Sequence, residues 1–309
     1  MTSNKIIVVG SANMDFVVGV KHFPRPGETL FGTSFGMFPG GKGANQAVCC
    51  AKLGAAIHFI GRIGMDILGE KLAASMQRDG VQVDSLIRDE GASTGIALIT
   101  VDRAGQNEIV VVSGGNMKLT PGDIESKDEL FAAASVLLVQ LEIPRETVIR
   151  AVSLAKEHNL LTILNPAPAC KLPASLLRMI DYLTPNETEA AILTGINVKD
   201  VSTAEKAGKK LLDIGVKTVI MTLGRKGSLL VAPEKTRHFP APRVKAVDTT
   251  AAGDAFSGAL AVSLVEGKAI EEAIPFANAV AALSVTRMGA QGSLPARQEL
   301  SRFENALHQ

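Results

Sequence analysis

Short, strongly apolar runs separated by helix-length segments constrain this chain more than any other feature. Ile6–Val9, Ile57–Ile60, Val136–Val139, Leu161–Leu164 and Val219–Met221 each have the length and composition of a strand buried on both faces. Strands of that kind belong to parallel sheets, and a parallel pair needs a crossover connection, usually a helix. The alternation predicts an α/β fold with a mainly parallel central sheet and helices on both faces. Thr120-Pro121 fits one helix start, with Thr as N-cap and Pro in the first turn.

Two regions break the rhythm. Met14 to Phe38 is rich in Gly, Pro, Phe and Val and reads as short strands with turns. Thr94 to Thr100 and Glu108 to Val112 flank Asp102-Arg103-Ala104-Gly105-Gln106-Asn107, a hairpin signal. These strands do not fit a parallel βαβ series, so the economical reading is a small separate sheet acting as a lid. A small sheet with an apolar face needs cover from the core or from another subunit. With 309 residues, 46% of them hydrophobic, the chain can bury one large core. It is read as one domain, 1–309, with a lid from insertions at about 14–38 and 94–112.

Bulk properties narrow the function. A net charge of +1 gives no electrostatic case for nucleic acid or an anionic membrane. No long apolar stretch predicts a membrane span, and the start of the chain predicts no signal peptide. Cys49, Cys50 and Cys170 have no metal-ligand spacing and are too few for a disulfide framework, so a cytoplasmic location is expected. The five histidines are scattered, without a triad or metal pairing. One Tyr and no Trp leave little for stacking on a nucleobase, which disfavours a nucleoside as acceptor.

Chemistry concentrates in Ala246-Val247-Asp248-Thr249-Thr250-Ala251-Ala252-Gly253-Asp254-Ala255-Phe256. Small residues at a helix start expose N–H groups, and the helix dipole adds attraction for an anion such as phosphate. Asp254 would stand beside that phosphate although a carboxylate repels one. The pairing makes sense if Asp254 removes a proton from a hydroxyl attacking phosphorus. The plainer reading is a first-turn Asp complementing the dipole.

Upstream, Pro39-Gly40-Gly41-Lys42-Gly43-Ala44-Asn45-Gln46-Ala47 leads into a helix ending near Leu53, with Gly54 closing it. It is not a Walker A loop, because Gly follows Lys42, and no G-x-G-x-x-G occurs in the chain. Lys42 and Asn45 offer donors there; the alternative is a flexible turn with a solvated lysine. Asn13 and Asp15 follow the first strand, and Glu142 follows Val136–Val139. Polar groups past the carboxyl ends of parallel strands suit a ligand site, and these suit a polyol.

The two glycine-containing segments resemble the two signatures of the ribokinase family of sugar kinases, the PfkB carbohydrate kinases. Val9-Gly10-Ser11-Ala12-Asn13-Met14-Asp15, Asn186-Glu187-Thr188-Glu189 and Thr222-Leu223-Gly224-Arg225-Lys226-Gly227 are similar to further family segments, in the same order, from Gly10 to Ser293. The resemblance implies ATP-dependent phosphorylation of D-ribose at its 5-hydroxyl, with Asp254 as general base and an anion hole from the Ala252, Gly253 and Asp254 amides. It assigns sugar contacts to Asn13, Asp15, Gly41, Lys42, Asn45 and Glu142, and places Asn186 near the phosphates of ATP and Glu189 near the waters of Mg²⁺. The N-x-x-E spacing is also that of a capping box, and both readings can hold. Thr222, Gly224 and Gly227 would line the nucleotide, with Asn278 near the adenine. A K⁺ site is implied at Asp248, Thr250, Ser284, Arg287, Gly289 and Ser293, mostly through main-chain oxygens. A homodimer joined through the lid is implied as well.

One departure stands out. The family commonly has Gly-Ala-Gly-Asp where this chain has Ala251-Ala252-Gly253-Asp254, and Ala disfavours a backbone conformation that Gly accepts freely. The alternatives are a deoxyribose or nucleoside kinase of the same family, or a non-catalytic sugar sensor; the intact Gly253-Asp254 pair argues against the sensor.

Overall fold

The structure is a computed structural model and describes residues 4–307. Thirteen strands form two sheets: β1 (Lys5–Val9), β2 (Asn13–Gly19), β3 (Ser34–Gly40), β4 (Ala56–Gly64), β5 (Leu86–Asp89), β6 (Gly95–Val101), β7 (Asn107–Val112), β8 (Val136–Val139), β9 (Leu161–Leu164), β10 (Tyr182–Leu183), β11 (Thr218–Thr222), β12 (Ser228–Ala232) and β13 (Lys235–Phe239).

The large sheet has nine strands in the order β13-β12-β11-β10-β9-β8-β1-β4-β5. It is parallel from β11 to β5, and β12 and β13 add an antiparallel edge. Period-two alternation sends each central strand into two cores. Ile6 and Val8 of β1, with Leu138 of β8, join the core beneath helices Lys42–Lys52, Ala252–Val265 and Ile270–Ser284. Ile7, Val9 and Leu137 join the opposite core with helices Arg145–Glu157 and Val201–Ile214. The α/β class and the helices on both faces are as the alternation predicts. Thr120 caps its helix, accepting from the Asp123 N–H.

The small sheet runs β3-β2-β6-β7 and is mixed, with β2 and β6 parallel and the outer pairs antiparallel. Its two hairpins come from residues 13–40 and 95–112. Every residue of β7 is exposed. Among the described residues no helix is long and apolar enough to cross a membrane. Cys49 and Cys50 are buried free thiols, and Cys170 is half-buried.

The sheets meet at β1, β2 and the helix start at Lys42. Gly41 has φ 87°, and a Cβ on it would lie 2.7 Å from the Asn13 nitrogen. A Cβ on Gly43 would lie 2.7 Å from Gly10 C and Ser11 N. Both positions need glycine because the helix start presses against the loop leaving β1.

Candidate active site

The carboxyl ends of β9, β10 and β11 open on a cavity of about 190 Å³. It is lined by Asn165, Ala167, Thr184, Asn186, Glu189 and Thr222 from this side, and by Thr249, Ala251, Ala252, Gly253, Asp254 and Lys42 from the other. A groove of about 460 Å³ lies elsewhere, beside Phe276 and Arg297. Its cations are paired, Arg297 with Glu266 at 2.5 Å and Lys268 with Glu266 at 3.5 Å. Its Glu272 accepts from the Ala269 N–H at 3.3 Å and its Ser301 hydroxyl donates to Arg297 O at 3.3 Å, so the smaller cavity is the candidate site.

Asp254 sits in the first turn of Ala252–Val265 and is 5% exposed. No side chain caps this helix. Helix geometry leaves first-turn N–H groups without intrahelical partners; the Ala252 N–H makes a 3.3 Å bond to Thr249 O. A Cβ on Gly253 would meet nothing within 4 Å, so a ligand can approach its backbone. Ala251 precedes the helix at φ 60°, ψ 10°, in the left-handed region that its side chain disfavours.

Helix Lys42–Lys52 supplies the other wall. Asn45 Nδ2 donates to Asp254 Oδ2 at 2.9 Å, and Gln46 Nε2 donates to Oδ1 at 2.9 Å. Asn45 Oδ1 is buried without a partner among the described residues, an acceptor suited to a hydroxyl. Glu142 Oε2 accepts from Ser11 Oγ at 2.5 Å and from the Lys42 N–H at 3.3 Å. Asn13 is aligned by Asn116, whose Nδ2 donates to Asn13 Oδ1 at 2.7 Å and to Ala12 O at 3.2 Å.

Electrostatics bind these groups into one unit. Burial, then the charges of Glu142 and Asp254, push Asp15 up to about 7, with Lys42 opposing. Burial raises Asp254 as well, against Lys42 and the Asn45 and Gln46 amides. For Lys42, burial pulls downward, but Asp254, Glu142, Glu189 and Asp15 outweigh it and hold the ammonium above its usual range. Asn13, Asp15, Gly41, Lys42, Asn45, Glu142 and Asp254 therefore converge.

On the nucleotide side, Asn186 and Glu189 form a reciprocal capping box, and Asn186 Nδ2 also donates to Glu189 Oε1 at 2.8 Å. Burial raises the Glu189 carboxyl despite the Asn186 N–H. Thr222 lines the cavity, whereas Gly224 and Gly227 lie in the turn beyond it. Asn278 stands apart, donating to Phe239 O at 3.2 Å and accepting from Ser228 Oγ at 3.2 Å. Asp248 accepts from the Thr250 N–H and hydroxyl, and from the Gly289 N–H at 2.8 Å. Although burial works upward, those bonds hold Asp248 below the usual carboxylate range. The side chains of Ser284, Ser293 and Arg287 are engaged elsewhere, with Ala281 O, Ala290 O and Glu299 respectively.

Sequence reasoning missed Ser11, Gln46, Asn116, Gln140, Asn165 and Thr184. Gln140, Asn165 and Thr184 directly follow β8, β9 and β10, so the strand-end rule used for Asn13 and Glu142 reaches them too. Asn116 carried no local signal.

The chain is 43% identical over 298 residues to a ribokinase of Haemophilus influenzae, covering 96% of this chain and 97% of that protein. It is 36% identical over 299 residues to a deoxyribokinase of Salmonella typhi, covering 96% and 98%. The structure of Arabidopsis thaliana ribokinase complexed with ribose and ATP superposes with a TM-score of 0.90 at 36% identity, covering 98% of this chain and 99% of that one. The model of the pfkB family carbohydrate kinases matches residues 3–297, and the chain belongs to that family.

Proposed function

We propose that this protein transfers the γ-phosphoryl group of ATP to the 5-hydroxyl of D-ribose. The observation that carries the reading is a buried carboxylate, Asp254, in the first turn of an uncapped helix, tied to Asn45 whose own acceptor is unpartnered. Ribose is favoured as acceptor by the ribokinase relatives, one of them solved with ribose and ATP.

The sugar would lie among Asn13, Asp15, Gly41, Lys42, Asn45 and Glu142, its reacting hydroxyl toward Asp254. Asp254 takes the hydroxyl proton as the oxygen attacks phosphorus, a contribution typically worth about 10²–10⁴-fold. Gly253 and Asp254 offer N–H groups to the transferring phosphoryl oxygens, with Ala252 joining once its long bond to Thr249 opens; one such donor is worth roughly 2.7–4 kcal/mol of barrier. Phosphoryl transfer depends mainly on positioning and charge stabilisation, and this arrangement supplies both.

Asn186 would lie near the phosphates and Glu189 near the waters of Mg²⁺, and the ion would neutralise phosphate charge. The nucleotide would run past Thr222 toward Gly224 and Gly227. Asn278 would act from behind this path, since its amide is satisfied internally. An ionised Asp248 beside the 284–293 carbonyls fits K⁺, with Thr250, Ser284, Arg287, Gly289 and Ser293 contributing main-chain oxygens. The whole chain would work as one domain in the cytoplasm, the small sheet closing over the sugar. Exposed Leu98 and Val110 on that sheet support a homodimer formed through it.

The test is ADP formation with D-ribose, 2-deoxyribose, fructose and adenosine, each with and without K⁺, for the native protein and Asp254→Asn. Ribose-dependent turnover that rises with K⁺ and falls about 10²–10⁴-fold in the variant is expected. Preference for 2-deoxyribose would move the substrate while leaving the mechanism. Sugar binding without ADP under any condition would refute the kinase reading.

A further inference from the structure

Asp254 is tied into a chain of buried side-chain amides whose direction is fixed from one end. The Thr184 carbonyl can only accept, and Asn165 Nδ2 donates to it at 3.2 Å. That bond turns Asn165 Oδ1 toward Gln46, where it accepts from Nε2 at 3.1 Å. The same Nε2 donates to Asp254 Oδ1 at 2.9 Å. Gln46 Oε1 in turn accepts from Gln140 Nε2 at 2.5 Å. Both N–H bonds and the carbonyl of the Gln46 amide are thereby used. Flipping it would set Oε1 against two acceptor oxygens and its N–H groups against another donor.

Gln46 and Gln140 are fully buried, and Asn165 is 6% exposed. At such depth an amide costs free energy unless it is satisfied; the Gln46 and Asn165 amides are satisfied, Gln140 Oε1 has no partner among the described residues, and the chain ends on the Asp254 carboxylate. We propose that Gln46 is a positioning residue for Asp254, holding the carboxylate in one orientation and favouring its ionised form, with Asn165 and Gln140 fixing the direction of the Gln46 amide. The inference rests on Asp254 being the general base of the reading above.

The surroundings show why such a donor matters. Burial opposes the Asp254 charge, and so does Glu142 beyond β8. Asp15 on β2, Glu189 at the start of the opposite helix and the buried Cys49 thiol also interact with Asp254. Among the charged groups that act on it most strongly, Lys42 is the cation and Glu142 the anion. The Gln46 and Asn45 amides supply the remaining stabilisation of a base that must be ionised to work.

The experiment is the pH profile of kcat for the full chain with ribose and ATP. Gln46→Met removes the donor at similar volume, and Gln46→Glu replaces it with a group that shares a proton. Losing a hydrogen bond to a carboxylate raises its pKa by about one to two units. The acid limb of kcat should therefore move up by about one to two pH units in both variants, and kcat below the limb should fall about tenfold or more. Ribose affinity from calorimetry without nucleotide should change by less than about twofold, because the sugar contacts are retained. Gln140→Met, one amide further away, should move the limb in the same direction by less.

Asp254→Asn is measured alongside, and turnover retained there would overturn the base assignment and this inference with it. An inactive Asp254→Asn combined with unmoved acid limbs in both Gln46 variants would overturn the positioning role alone and leave Gln46 as core packing. Should the Gln46 variants fail to fold, Gln140→Met decides, and an unmoved limb there refutes the inference.

Discussion

Ala251→Gly should stabilise this protein, although glycine usually weakens a fold by adding freedom to the unfolded chain. Ala251 adopts φ 60°, ψ 10°, and the only other described non-glycine residue with positive φ is Asn159. The left-handed conformation costs an alanine about 1–2 kcal/mol, through contact between its Cβ and the following carbonyl. Glycine removes that cost but adds unfolded-chain entropy worth about 0.4–1 kcal/mol. The balance is a gain of about 0.5–1 kcal/mol. For a chain of this size it corresponds to a rise in Tm of about 1–3 °C, or a matching shift in the urea midpoint at constant m. The helix start is also held by Ala255 N–H to Ala251 O at 2.8 Å, so kcat should stay within about threefold of native. Ala251→Val is the opposing control, since a β-branched residue in this region is a genuine outlier and should destabilise strongly. A fall in Tm for Ala251→Gly, or a neutral Ala251→Val, would refute the claim that the left-handed turn is built into the folded loop.

Two further outcomes follow from the same structure. Asp15 has a folded-state pKa of about 7, above its ordinary 3.8, first because of burial; the folded state therefore binds its proton more tightly, and the stability this lends is full below pH 3.8 and lost as pH rises through about 7. Asp15→Asn should raise the ligand-free melting temperature most at pH 8, with the advantage shrinking toward pH 4, while ribose binding weakens; a pH-independent difference would contradict it. Leu98 and Val110 pair across β6 and β7 and are 47% and 62% exposed, on the sheet face opposite Asp15, so Val110→Lys should weaken a lid-mediated dimer by tenfold or more in sedimentation equilibrium, about 1.4 kcal/mol, and an unchanged dimer would place the interface elsewhere.

What the sequence revealed and what it hid divide along physical lines. Apolar strands declare themselves because two buried faces demand apolar residues throughout, and Ile6–Val9 lies fully buried in the middle of the large sheet. Thr120 and Asn186 were legible as caps because their partners lie three residues away. Asn116 was not, because its partners Ala12 and Asn13 are more than a hundred positions distant. Gln46 looked like one more polar residue after Lys42, and its meaning appears only when Asn165 and Gln140 arrive from two other strand ends. Asn278 is tied to β12 and to the end of β13, a pairing that no local pattern specifies.

The charge balance of the site bears on how it must be loaded. Asp15, Glu142, Glu189 and Asp254 gather around Lys42, and burial, then the Glu142 and Asp254 charges, lift Asp15 to about 7. Bringing in ATP adds several further negative charges beside Asp254, which would raise its pKa and disable it as a base. First-turn N–H groups supply partial positive charge only, roughly half a unit for the whole helix end. On the proposed reading, compensation would come from a cation carried with the phosphates and a second one beside the loop of Asp248, whose carboxylate is held below the usual range by Thr250 and Gly289. Neutral sugar hydroxyls add no charge, so a carboxylate-rich pocket can be filled by the sugar at little electrostatic cost.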